Sequence, residues 1–304
     1  MAQQTIIKKL PIPIINLEQV TPADEKDRKC GPHLSFENGS CIPLNLLIKM
    51  AKAYNQYNNN NSINDIIKLD NTMDTLYPNE YKRFLLFEFQ QRFKNSNQSN
   101  WIKKKFIELM SKDDKEYLEY DVFRPEGPQG KFEWLSTLDI NKTLAQYENK
   151  YPDFQFLGAV PIDFNDLDYY PFKTMDFNNF IKEKKNRIGV IFNLDEHYKG
   201  GSHWVSLFCD LSKGQVYFSD SYGSRPEKRI SDFITRIKNH FEKSNISNID
   251  IRHNQTQHQK GNSECGVYSI NFILRLLKGK TFDHITRKRL PDETVNKCRL
   301  RYFK

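Results

Sequence analysis

Cysteine is scarce and unpatterned in this chain. There are five in 304 residues, at positions 30, 41, 209, 265 and 298. The number is odd and no CxxC pair occurs, so neither a disulfide framework nor a zinc ribbon fits. A reducing compartment is the natural setting for such a set. Cys30 and Cys41, with His33 between them, read as ordinary thiols in a loop, Cys209 as a strand residue used for packing and Cys298 as inert. Long apolar runs are also missing. Nothing approaches the roughly 18 residues that span a bilayer, and the polar Met1–Lys9 stretch is unlike a signal peptide. A soluble protein with no membrane partner is expected. No internal repeat is visible, and no basic-aromatic interleave marks a nucleic-acid module.

What is present is a core. Hydrophobic residues make up 38% of the chain, with 22 Phe and 15 Tyr. The 46 basic and 38 acidic residues leave a net charge of +8, with both signs interspersed. That balance permits weak nucleic-acid contact without demanding it. Asn and Lys are abundant, many Asn falling in short runs.

The texture changes once along the chain, at the Pro- and Gly-rich segment Arg124–Gly130. Residues 1–130 therefore read as an N-terminal arm with a helical subdomain, and 131–304 as a second domain. Pro11, Pro13 and Pro22 interrupt any helix over 1–29. A helix is expected from about Pro43 to Tyr57, capped by Ser40 or Cys41, with Leu44, Leu47, Ile48, Ala51 and Tyr54 or Ala53 inward. The Asn58–Asn61 tract is a loop. Two further helices are expected, Asn79–Phe93 and Trp101–Met110, joined by a polar linker over 95–100. In the second domain a helix opens at Trp134 and runs to about Tyr151. Extended segments follow at 154–164, 188–194, 203–208, 215–220 and 249–253, with a hairpin turn at Leu211–Gly214. An amphipathic helix spans about 225–241, with Ile230, Phe233, Ile234, Ile237 and Phe241 inward.

One stretch organises the rest: Gln259-Lys-Gly-Asn-Ser-Glu-Cys265-Gly-Val-Tyr268. A polar loop ends at Cys265, and an apolar run of helical spacing follows from Val267 to Leu277. Cys265 thus stands at a helix N-terminus, where free N–H groups and the helix dipole favour an anion. The thiolate is the nucleophilic form of a thiol. Such a nucleophile needs a base, a group that orients the base, and donors for an oxyanion. His203 opens a strand after the Gly200-Gly201 turn, and Asp220 ends the adjacent strand 17 residues on. Gln259, six residues before Cys265, could add its amide N–H₂ to the Cys265 backbone N–H. Each part alone is weak; their joint order and spacing are specific. His253, His258 and Cys265 lack a suitably spaced fourth ligand, so no metal is expected.

The set His203-Trp204, Asp220 and Gln259-(five residues)-Cys265-Gly266, with Trp134-Leu135 earlier, resembles the SUMO/ubiquitin-like-protein protease and adenovirus-proteinase superfamily, over roughly 132–277. The resemblance implies an α+β fold: a papain-like cysteine peptidase core, a mixed central sheet flanked by helices, preceded here by the N-terminal helical subdomain. It implies Cys265 as nucleophile, His203 as general base and acid, Asp220 as the group orienting His203, and Gln259 as the residue polarising the scissile carbonyl. It further implies that Trp134 and Trp204 form a narrow tunnel over a Gly-Gly substrate, since flat rings against bare backbone leave no room for a side chain. The Ser-Glu-Cys-Gly form, the Ile-Arg-His element and the helical arm look more like the polyprotein-processing proteases of large cytoplasmic DNA viruses, such as that of African swine fever virus. That sub-family has Asn where this chain has Asp220.

The expected function is a cysteine endopeptidase that cleaves Gly-Gly-Xaa sites in viral core polyproteins during virion maturation, in the virion and host cytoplasm. It would act as a monomer without metal or organic cofactor. The alternatives are a deconjugase of SUMO or ubiquitin-like modifiers, and a non-enzymatic binding module on an inactive protease scaffold.

Overall fold

The computed structural model describes residues 29–58, 65–94 and 97–304. The arm expected over 1–29, the Asn tract at 59–61 and the start of the 95–100 linker lie outside the described residues, apart from residues 29 and 97–100. The chain divides into two compact units, Met1–Arg124 and Pro125–Lys304.

The first unit is helical: α1 (Leu44–Tyr57), α2 (Asn71–Leu76), α3 (Pro78–Phe93) and α4 (Lys112–Tyr120). Two 3-10 segments, Gln98–Lys103 and Lys105–Leu109, replace the single helix expected over 101–110. Lys104 between them is extended (φ −78°, ψ 148°). Five residues along one α-helix would point Trp101 and Phe106 about 140° apart; the break lets both enter one core beside Phe89. The buried face of α1 is Leu46, Leu47, Met50, Ala51 and Ala53, turned from the expected stripe, with Leu44, Ile48 and Tyr54 at its margin. Pro43, not Ser40 or Cys41, is its N-cap residue, because the Ser40 hydroxyl is taken by Ile42 N–H and Gln98.

The cysteine reading is corrected here. Cys30 and Cys41 form a disulfide, with Cα atoms 5.2 Å apart. Asn38 and Gly39 both adopt positive φ (52° and 89°) inside a bridge between Glu37 and Ser40. That two-residue reversal folds the segment back on itself and carries Cys41 towards Cys30. Cysteine parity and spacing contain no such information. Cys209, Cys265 and Cys298 remain free, and the inference to a reducing compartment loses its support.

The second unit contains a five-stranded mixed sheet in the order β1 (Phe154–Pro161), β2 (Arg187–Asn193), β3 (Trp204–Asp210), β4 (Gln215–Ser219), β5 (Asp250–His253). The outer pairs are parallel and the two inner pairs antiparallel. Alternation along the strands sends side chains to opposite faces. Trp204, Phe208, Ile191 and Tyr217 face one core. Val205, Leu207, Cys209, Val190, Phe192, Val216 and Phe218 face the other. The first face packs against α5 (Thr137–Lys150) and α8 (Cys265–Leu277). The second is covered by α6 (Phe177–Lys182) and α7 (Lys228–Lys243), the latter burying Ile230, Phe233, Ile237 and Phe241. Three short helices close the chain: α9 (Phe282–Thr286), α10 (Asp292–Asn296) and α11 (Arg299–Tyr302). The helix expected to open at Trp134 starts later, at Thr137, because Ser136 and Asp139 form a capping box. This leaves Trp134 and Leu135 in the segment that leads into α5. Among the described residues no helix is long and apolar enough to cross a membrane.

Candidate active site

The apolar run after Cys265 makes α8 a buried helix, and its packing on the sheet fixes where Cys265 lies. Eleven of its residues are buried, so the helix cannot rotate without exposing core. Cys265 is its first residue and is itself buried. Gly266 has a steric reason to be Gly. A Cβ there would lie 3.0 Å from Leu135 Cβ, so the bare backbone lets Leu135 press on the first turn of α8. The Trp204 indole N–H donates to the Leu135 carbonyl at 3.0 Å, and the Ser269 hydroxyl donates to the Trp204 carbonyl at 3.2 Å. Trp134-Leu135, Trp204 and the start of α8 are thereby held together.

His203 lies one residue before β3. Its Nε2–H donates to Asp220 Oδ1 at 2.7 Å, and Cys265 lies near enough to the ring to act on its charge. Asp220 follows β4 and is 3% exposed. Burial by itself would push the imidazole down, but the Asp220 carboxylate and then Cys265 hold it up at about 9. For Asp220, burial pushes upward and is outweighed by His203 and the Tyr222 N–H, which hold the carboxyl below its ordinary range. An imidazolium flanked by two groups that can be anionic is the arrangement that stabilises a thiolate-imidazolium pair.

Gln259 is fully buried. Its Oε1 accepts from the Ser221 hydroxyl at 2.6 Å, and Nε2 donates to the Gly261 carbonyl at 3.0 Å. One N–H of the amide is thus engaged and the second is not tied by that bond. The backbone N–H groups of His258 and Gln259 both donate to the Ser221 carbonyl. Asn254, also fully buried, donates to the Asp220 carbonyl at 2.9 Å. The loop that carries Gln259 is therefore stitched to the turn that carries Asp220.

Of the sequence-selected residues, the structure brings His203, Asp220 and Cys265 into one cluster, with Gln259 on the adjoining loop. Trp134 and Trp204 line a cleft of about 470 Å³ with Gly200, Gly201, Tyr169 and His197. Trp134 is 47% exposed and Trp204 only 5%, so their contributions differ: Trp134 offers a ring face, whereas Trp204 is chiefly a packed wall. His258 is a buried acceptor for the Leu290 N–H at 2.9 Å. No group of His, Cys, Asp and Glu side chains among the described residues is arranged to hold a metal.

Two features went unread in the sequence. Tyr222 stacks on His203 with ring centroids 4.8 Å apart. The register Ser206↔Ser219, carried three residues past the end of the ladder, would have set 222 opposite 203. The second is the C-terminal segment. Asp292 accepts from the backbone N–H groups of Lys260 and Gly261, Asn296 donates to Glu264, and Arg299 donates to the Ser263 carbonyl. Arg299 is fully buried and also donates to the Glu133 and Pro128 carbonyls. Glu264 accepts from the Ser263 N–H and hydroxyl.

Comparison with known proteins agrees with this architecture. The model of the Ulp1 protease family, C-terminal catalytic domain, matches residues 173–304. A relative named as a thiol protease, from Acanthamoeba polyphaga mimivirus, is 36% identical over 280 residues, covering 90% of this chain and 93% of its own. A cysteine protease of African swine fever virus is 24% identical over 197 residues, 60% of this chain and 72% of its own. The crystal structure of an African swine fever virus protease superposes with a TM-score of 0.62 at 18% identity, over 95% of this chain and 98% of that one. The α+β peptidase fold and the relationship over nearly the whole chain lead to one conclusion: this chain belongs to the Ulp1 protease family and is a cysteine protease.

Proposed function

We propose that Cys265 is the nucleophile, His203 the general base and acid, Asp220 the group that orients His203, and Gln259, with the Cys265 backbone N–H, the oxyanion donor. The observation that carries this is one imidazole bonded to Asp220 Oδ1 at 2.7 Å and near enough to Cys265, the first residue of α8, for that side chain to act on its charge. The Cys265 thiolate attacks the scissile carbonyl, forming an S–C bond. The tetrahedral oxyanion is met by backbone N–H and the Gln259 amide. His203 protonates the leaving amine, the C–N bond breaks, and a thioester remains. His203 then takes a proton from water, whose oxygen displaces the sulfur and frees the acid.

The substrate proposed is a protein segment containing Gly-Gly-Xaa. The exposed Trp134 ring and the packed Trp204 wall border a cleft whose lining includes Gly200 and Gly201, and a chain without side chains passes such walls most easily. The proposed setting is processing of viral structural polyproteins in the virion and host cytoplasm, a reading supported by relatives encoded by large DNA viruses. Removal of a SUMO-like modifier is the second reading. It is favoured by the name of one African swine fever virus relative, a SUMO-1 cysteine protease.

An aldehyde or vinyl probe ending in Gly-Gly tests the assignment. Labelling is expected at Cys265, mapped by peptide mass, and is lost in Cys265→Ala. Cleavage of a Gly-Gly-Xaa peptide by Cys265→Ala would sink it. A matched pair of substrates, the peptide and a modifier conjugate, separates the two settings by relative kcat/KM.

A further inference from the structure

Tyr222 touches three separate parts of the site. Its backbone N–H donates to Asp220 Oδ1 at 2.9 Å, the same oxygen that accepts from His203. Its ring lies over the His203 imidazole at 4.8 Å between centroids and 27° between planes. Its hydroxyl donates to the Gly261 carbonyl at 2.8 Å, the same carbonyl that accepts from Gln259 Nε2. The residue is 38% exposed, and one face of its ring lies against the imidazole. Gly223, next in the turn, could not take a side chain: its φ is +82° and a Cβ would come within 2.9 Å of the Gln255 carbonyl.

We propose that Tyr222 is a positioning residue of the protease. It clamps the His203 ring in the plane that serves both Asp220 and Cys265, and ties that ring to the Gly261 carbonyl on the Gln259 loop. The inference rests on the reading of Cys265 and His203 given above. The titratable groups facing the imidazole are Asp220, Cys265 and Tyr222 itself; Glu264 and Asp292 bear on the phenol in addition. Burial, then the charge of Cys265 and of these carboxylates, raises the phenol above its ordinary value, which keeps it a donor across the working range. An aromatic face beside an imidazolium favours the charged ring, so removing it should weaken the pair.

The test is the pH dependence of Cys265 alkylation by iodoacetamide in the full chain, mapped by peptide mass, for wild type, Tyr222→Phe, Tyr222→Leu and His203→Ala. This readout needs no substrate. Tyr222→Leu is expected to move the upper inflection of this profile, where the imidazolium gives up its proton, down by roughly half a pH unit and to cut kcat about 10- to 100-fold, with KM little changed. Tyr222→Phe should restore the wild-type pH profile while losing about 2- to 10-fold in kcat, for the single hydroxyl bond. A Tyr222→Leu profile identical to wild type, with His203→Ala altered, overturns the inference and leaves the dyad standing. A His203→Ala profile identical to wild type overturns the dyad itself. Should Tyr222→Leu fail to fold, Tyr222→Phe still decides the tether: wild-type turnover there refutes it.

Discussion

At the scale of single residues, the imidazole is the group whose environment has the most measurable consequence. His203 is raised to about 9 against burial that would lower it. A raised folded-state value means that its contribution to stability is fully present below the ordinary histidine value near ~6.5 and is lost as pH rises through about 9. The stability gap between wild type and His203→Gln should therefore shrink between these limits, as read from urea denaturation on either side of that window. Asp220→Asn should draw the alkaline limb of kcat/KM down from about 9 towards the ordinary histidine value, because the amide cannot stabilise the imidazolium by charge. The accompanying loss of kcat is expected to be roughly 10- to 100-fold, less than the ~10²–10⁴ that a general base can supply. An unchanged limb would show that Asp220 does not set the ionisation of His203. Cys265, His203 and Asp220 could be picked out in the sequence by their joint order and spacing and by the loop-to-helix junction at Cys265. Tyr222 could not: Asp220-Ser-Tyr-Gly223 reads only as a turn. Its ring contact depends on a hairpin register that no local pattern prints.

At the scale of elements, the position of Cys265 is set by what α8 and its preceding loop press against. Gly266→Ala should strain the Leu135 contact, which is 3.0 Å before any relaxation. The expected cost is about 1–3 kcal/mol, read by thermal unfolding, and a fall in turnover as Trp134-Leu135 shifts. The buried Arg299 gives a sharper test of the C-terminal brace. Its guanidinium reaches four oxygens, on Asn296, Pro128, Glu133 and Ser263. Arg299→Lys keeps charge but cannot span that set, so a loss of about 2–4 kcal/mol is expected. A Lys variant as stable as wild type would show the brace to be incidental. The strands were readable within a few residues from short extended runs set off by turn residues, and α5, α7 and α8 from apolar spacing sustained over 13 to 16 residues. Helices α9 to α11 have only four or five residues each. They carry too little periodicity to announce themselves. Their value lies in the partners Lys260, Ser263 and Glu264, which belong to a distant part of the chain.

At the scale of the whole molecule, each unit has its own core, and the cross-link lies in the first. Closing the segment between Cys30 and Cys41, 11 positions apart, should stabilise Met1–Arg124 by about 3 kcal/mol on loop-entropy grounds. Reduction, or Cys30→Ser, should lower the denaturation midpoint of that unit, followed by hydrogen exchange over residues 65–94. An unchanged midpoint would refute the contribution. The match to the mimivirus relative over 90% of this chain takes in residues of both units. By itself, the amino-acid sequence determined the apolar periods of the strands and long helices, the change of texture across Arg124–Gly130, and the chemical types at Cys265, His203, Asp220 and Gln259. These follow from local spacing, side-chain chemistry and backbone preference. Only the tertiary structure decided that Cys30 finds Cys41, that α1 turns a different face inward, that Tyr222 covers His203, and that Asp292, Asn296 and Arg299 hold the Cys265 loop. Each of these is a meeting of residues brought together by chain reversal or by packing across elements, and a linear pattern carries no term for it.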